Sequence, residues 1–140
     1  MFRKIVVAYD GSEQAQHALR VALDIARRYE AEVCTATVVN VPDYAGTVDE
    51  VDEHMQRARE FYAKILQQAQ FWGEQAGVKI TTQLLFGHVG ETLVRFAAQE
   101  NADLVVAGAR GLSAVRRYLV GSVSAFLVQH ARCPVLVVKR

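Results

Sequence analysis

Gly108-Ala-Arg-Gly111, then nine residues, then Gly121-Ser122-Val123-Ser124 is the stretch best suited to chemistry. Glycines let a backbone approach an anion closely, and successive N–H groups can converge on it. Ser122 stands at the N-cap position of a predicted helix, so its hydroxyl and the amides of Val123 and Ser124 could face one phosphate group. Arg110, Arg116 and Arg117 could supply positive charge. The loop carries no Gly-Lys-Ser/Thr, so it is not a Walker A loop, and no Gly-x-Gly-x-x-Gly follows the first strand, which argues against a dinucleotide site. Taken alone, these residues fit two readings: an anion cradle, or a capped strand-to-helix connection with solvated arginines.

Other polar groups point to less. His17, His54, His88 and His130 show no metal-ligand spacing with cysteine or acid partners, so no metal site is expected. His88 lies in a loop at the ligand end of the predicted sheet, where it could touch a phosphate or simply be solvated. The acidic cluster Asp49-Glu50-Asp52-Glu53 is expected to stabilise the start of a long helix. Cys34 reads as a small core residue, and Cys133 has no evident nucleophile partner. No lysine stands in the glycine loop, and no His or Glu is placed to activate water, so no catalytic residue is assigned.

Strand-like and helix-like segments alternate around these residues. Apolar, β-branched runs at 3–9, 32–39, 80–86, 104–107 and 135–138 predict five strands. Between them, Ala15, Ala18, Leu19, Ala22, Ile25, Ala26 and Tyr29 repeat at helical spacing behind Ser12, a predicted N-cap. Residues 40–48 read as a loop. Val51, Met55, Ala58, Tyr62, Ile65, Ala69, Trp72 and Ala76 then form one continuous stripe, closed by Gly77. Phe71-Trp72 is expected to pack on the sheet. Residues 87–90 read as a second strand-to-helix loop, Leu93, Val94, Phe96 and Ala97 as a third helix, and 123–132 as a fourth.

This order predicts an α/β fold: one doubly wound domain over residues 1–140, a five-stranded parallel sheet with helices on both faces. In such sheets ligands sit beyond the carboxyl ends of the strands. The composition agrees, at 51% hydrophobic and 22% charged. A net charge of +1 argues against a general nucleic-acid-binding surface. No apolar run approaches the roughly 20 residues of a membrane span. Two cysteines without CxxC spacing and no signal-peptide core lead us to expect a cytoplasmic protein with reduced thiols and no membrane insertion.

The spacing of Gly108, Gly111, Gly121 and Ser122, Gly-x2-Gly-x9-Gly-Ser, resembles the nucleotide-binding signature of the universal stress protein family. Lys4-Ile-Val-Val-Ala-Tyr-Asp-Gly-Ser12 resembles the family's opening strand and turn, and residues 87–91 its mid-chain Gly-x-x-x-Glu turn. Asn101-Ala-Asp-Leu-Val-Val-Ala-Gly-Ala-Arg-Gly111 and Cys133-Pro-Val-Leu-Val-Val138 resemble two further segments, in the same order. The resemblance implies a Rossmann-like, ATP-binding stress-response module, with ADP or AMP as alternatives and Mg²⁺ a possible companion. It places the backbone around Ala8 and Val38 against adenine and Asp10 against the ribose hydroxyls. It places Gly108, Arg110, Gly111, Gly121, Ser122, Val123 and Ser124 around the phosphates. Asp10 also fits an ordinary cap of the turn that follows it. Ala8 stands where some relatives have proline, and the Arg110 position varies. The resemblance also implies a homodimer, for which the strand at 135–138 would offer a pairing edge. Three functions remain open at this stage: a nucleotide-binding regulator, a slow ATPase, and a nucleotide-independent dimeric interaction protein.

Overall fold

The computed structural model describes residues 1–41, 46–109 and 121–139. Five short apolar runs become strands: Lys4–Ala8 (β1), Glu32–Val39 (β2), Ile80–Phe86 (β3), Leu104–Gly108 (β4) and Val135–Val138 (β5). They form one sheet in the order β3-β2-β1-β4-β5, and every neighbouring pair is parallel. Four helices connect them: Glu13–Tyr29 (α1), Val48–Gln75 (α2), Val89–Gln99 (α3) and Ser122–His130 (α4). A parallel neighbour requires a crossover, and a helix is the usual one.

The crossovers fall on both faces of the sheet. Ile5, Val7 and Val33 turn toward α1 and α2, where Ala18, Leu19, Ala22, Ala26 and Ala69 complete one core. Val6, Cys34, Ala36 and Val105 turn the other way, toward Leu93, Phe96 and Ala97 of α3 and Leu127 of α4. The alternation along β1 and β2 divides their side chains between two cores, as a sheet covered on both faces demands. The buried Cys34 thiol is pushed above its ordinary pKa by burial, consistent with a core role.

Ser12 caps α1 as expected, its Oγ accepting from Ala15 N–H at 3.2 Å. Gly77 follows the α2 cap in a left-handed conformation, φ 72°, the expected stop. Other boundaries differ from the expectation. α2 begins at Val48, within the predicted loop, because Thr47 Oγ1 accepts from Glu50 N–H at 3.2 Å and supplies a cap. α3 begins at Val89, so half of the expected 87–90 loop is helical. α4 is capped by Gly121 rather than Ser122 and stops at His130, short of Arg132. Trp72 packs against the α1–α2 core, whereas Phe71, the residue before it, is 54% exposed. Residues 42–45 of the predicted loop lie outside the described residues.

Candidate functional site

From β1 the sheet grows one way through β2 and β3 and the other way through β4 and β5. The switch therefore lies between β1 and β4, whose carboxyl ends diverge into opposite crossovers and leave a crevice. A cleft of about 420 Å³ opens there. Its floor is apolar, made by Ala8 of β1, Ala36 and Val38 of β2, and Ala107 of β4. Tyr62 of α2, Val89 and Leu93 of α3, and Val123 of α4 form its sides. A second groove of about 520 Å³ runs between α1 and α2 past Arg20, Leu23 and Trp72, but it lies away from the strand ends.

Four elements, β1, β2, β4 and α4, bring the sequence-predicted residues together. Ala8 ends β1, and Asp10 follows it, exposed, with Oδ1 accepting from Ser12 N–H at 2.9 Å. The capping reading of Asp10 thus describes one carboxylate oxygen and leaves the other for a ligand. Gly11 turns the chain into α1 at φ 84°, a left-handed conformation that favours glycine. Val38 is half-buried near the end of β2, and Gly108 ends β4. Ala8, Asp10, Val38, Gly108 and Val123 line the same cleft.

The α4 terminus adds donors rather than hydroxyls. Its first intrahelical bond runs from Ala125 N–H to the Gly121 carbonyl at 2.9 Å. The amides of Ser122, Val123 and Ser124 precede it and are the helix's orphan donors, at the positive end of its dipole. Ser122 is exposed as the first helical residue. Ser124 Oγ is buried and donates to the Gly121 carbonyl at 2.9 Å, so this hydroxyl is engaged within the helix cap. Gly121 is buried at the cap. Arg110 and Gly111, with Arg116 and Arg117, lie outside the described residues.

Tyr9 and Val89 lie in segments expected at the ligand end of the sheet, whereas Gln14, Ala36, Tyr62, Leu93 and Ala107 escape the sequence reading. Most are apolar positions that helix or strand spacing assigns to a core. Tyr62 belongs to the α2 stripe, and nothing in that spacing says that it lies beside Asp10. Burial, and then the Asp10 charge, push the phenols of both Tyr9 and Tyr62 above their ordinary pKa. Among the described residues, no group of three or more His, Cys, Asp or Glu side chains could hold a metal ion. None of the described helices is long and apolar enough to cross a membrane.

An apolar floor, a half-free carboxylate at one end and helix amides at the other suit an amphipathic ligand with an apolar ring, hydroxyls and an anionic group. The sequence profile of the universal stress protein family matches residues 1–139. A universal stress protein of Methanocaldococcus jannaschii is 36% identical over 146 residues, covering 100% of this chain and 84% of the relative. Among solved structures, universal stress protein UspA from Lactobacillus plantarum superposes with a TM-score of 0.84 at 30% identity, covering 98% of this chain and 97% of that one. A universal stress protein solved in complex with cAMP superposes with a TM-score of 0.77 at 27% identity, covering 99% of this chain and 97% of that one.

Proposed function

This chain belongs to the universal stress protein family, and we propose that it is an adenine-nucleotide-binding regulatory module whose preferred ligand is ATP. One observation carries the reading: the cleft at the β1/β4 switch point joins an apolar floor to Asp10 on one side and to the α4 N-terminus on the other. The similar protein solved with cAMP supports an adenine nucleotide as the class of ligand. In this reading adenine rests against the backbone of Ala8 and Val38. The free oxygen of Asp10 accepts from the ribose hydroxyls. The phosphates lie toward Gly108, Arg110, Gly111, Gly121 and the amides of Ser122, Val123 and Ser124. ADP or AMP would occupy the same cleft with fewer phosphate contacts, and Mg²⁺ would accompany the phosphates and offset their charge.

In this reading the nucleotide acts as a signal. Its binding would bias conformation or partner choice. The partner we propose for the chain itself is a second copy, paired through β5. That strand is one edge of the sheet, as the order β3-β2-β1-β4-β5 requires.

Isothermal titration with ATP, ADP, AMP and cAMP tests the site. The wild-type protein should bind ATP, and both Asp10→Ala and Gly121→Val should weaken it about tenfold or more, the loss expected of a charge-assisted hydrogen bond or an obstructed helix terminus. Undiminished binding in both variants would overturn the assignment.

A further inference from the structure

The cleft has a wall that the proposed nucleotide contacts do not use. A Cβ on Gly11 would fall 2.7 Å from Ile65 Cγ2, so the turn after Asp10 packs directly on α2 at Ile65. One turn toward the α2 N-terminus and on the same face stands Tyr62, and one turn further Arg59. The Arg59 guanidinium lies 5.5 Å from the centre of the Phe86 ring, at the end of β3. The two contacts hold α2 on either side of Tyr62: Ile65 on the β1–α1 turn and Arg59 on the β3 end. Phe61 packs edge-on against the Tyr62 ring at 5.0 Å. The half-buried Tyr62 thus enters the cleft beside Asp10 as part of a braced wall.

The other described polar residues of the cleft are placed differently. The Ser12 hydroxyl caps α1. Tyr9 is only 4% exposed and belongs to the α1–α2 core. Gln14 sits at the β4 side, its carbonyl against Gly108. On the Asp10 side stand the exposed carboxylate, with one oxygen free of the Ser12 amide, and the half-buried Tyr62 phenol. A carboxylate accepts and a phenol both donates and accepts, and together they match two adjacent hydroxyls. A tyrosine phenol is protonated at neutral pH, and burial and the Asp10 charge push its pKa further up.

From this arrangement we infer that Tyr62 is a specificity-determining residue: its hydroxyl, beside Asp10, reads the 2′-hydroxyl of the sugar and makes the site prefer ribonucleotides to 2′-deoxyribonucleotides. The inference rests on the cleft being an adenine-nucleotide site. A site built to hydrogen-bond a hydroxyl discriminates against the ligand that lacks it, because its own polar groups are then left unpaired.

Titration of ATP and dATP into the wild-type protein and Tyr62→Phe tests it. The wild type should bind ATP more tightly than dATP. Tyr62→Phe, which keeps the ring, should lose about three- to tenfold in ATP affinity, the effect of one hydrogen bond, and little for dATP. The ATP-to-dATP ratio should fall by the same factor, a change that mere loosening of α2 would not produce. A wild type that binds both equally, or a variant with the ratio unchanged, overturns the role of Tyr62 and leaves the adenine site standing. A wild type that binds neither overturns both.

Discussion

A Cβ at Gly108 would stand 2.8 Å from the Gln14 carbonyl oxygen and 3.0 Å from its carbon, both backbone atoms of α1. Backbone cannot swing aside as a side chain does, so the end of β4 reaches the first turn of α1 only because residue 108 has no side chain. Gly108→Ala should therefore destabilise the protein by about 1–3 kcal/mol, the range for overpacking. Urea denaturation measures it, and an unchanged midpoint at an unchanged slope would contradict this close approach. Residue type in the sequence indicated that glycine mattered here but attributed it to anion approach. The structure adds packing against Gln14. Asp10 was legible in both its readings, cap and ligand group, and the structure assigns an oxygen to the first. Ser124 was legible as polar and well placed, but not as buried and turned back on Gly121, because a hydroxyl's partner is set by rotamer and not by spacing. Tyr62 was hidden for a different reason. A stripe with steps of three and four records which side of a helix is covered, and not whether a sheet or a cleft covers it.

The strands were read nearly residue for residue because buried parallel strands are short, β-branched and apolar on both faces. The helix starts were less legible. Thr47 as a cap and Val89 as a first helical residue depend on single hydrogen bonds or on backbone turns, which composition does not mark. β5 is the element on which the proposed pairing of two copies depends. Val105 N–H donates to the Pro134 carbonyl and Ala109 N–H to that of Val138, so even-numbered residues of β5 face β4. Val135 and Val137 accordingly turn their backbone groups toward the open edge. Val137→Pro would remove an outward N–H and leave the ladder to β4 in place, a substitution edge strands tolerate. If a second copy pairs there, sedimentation should show the wild type as a dimer and the variant as a monomer with unchanged far-ultraviolet circular dichroism. A variant that remains fully dimeric would count against pairing through β5.

Over the whole molecule, alternating segments predicted a doubly wound sheet, and a five-stranded parallel sheet with helices on both faces is what forms. The strand order was not legible. Local patterning says that β1 and β4 are buried but not that they are neighbours, and their adjacency is what creates the cleft. Sequence alone therefore supplied the groups, and long-range pairing supplied the place where they meet. Asp10 and Val123 are more than a hundred residues apart and line one cleft of about 420 Å³. The proposed occupant of this cleft is an adenine nucleotide. Native mass spectrometry of freshly purified protein, before and after addition of millimolar ATP, tests it most directly. The spectrum should show the mass of the chain, as monomer or dimer, plus one adenine nucleotide per subunit. A spectrum showing only the bare protein in both samples would contradict it.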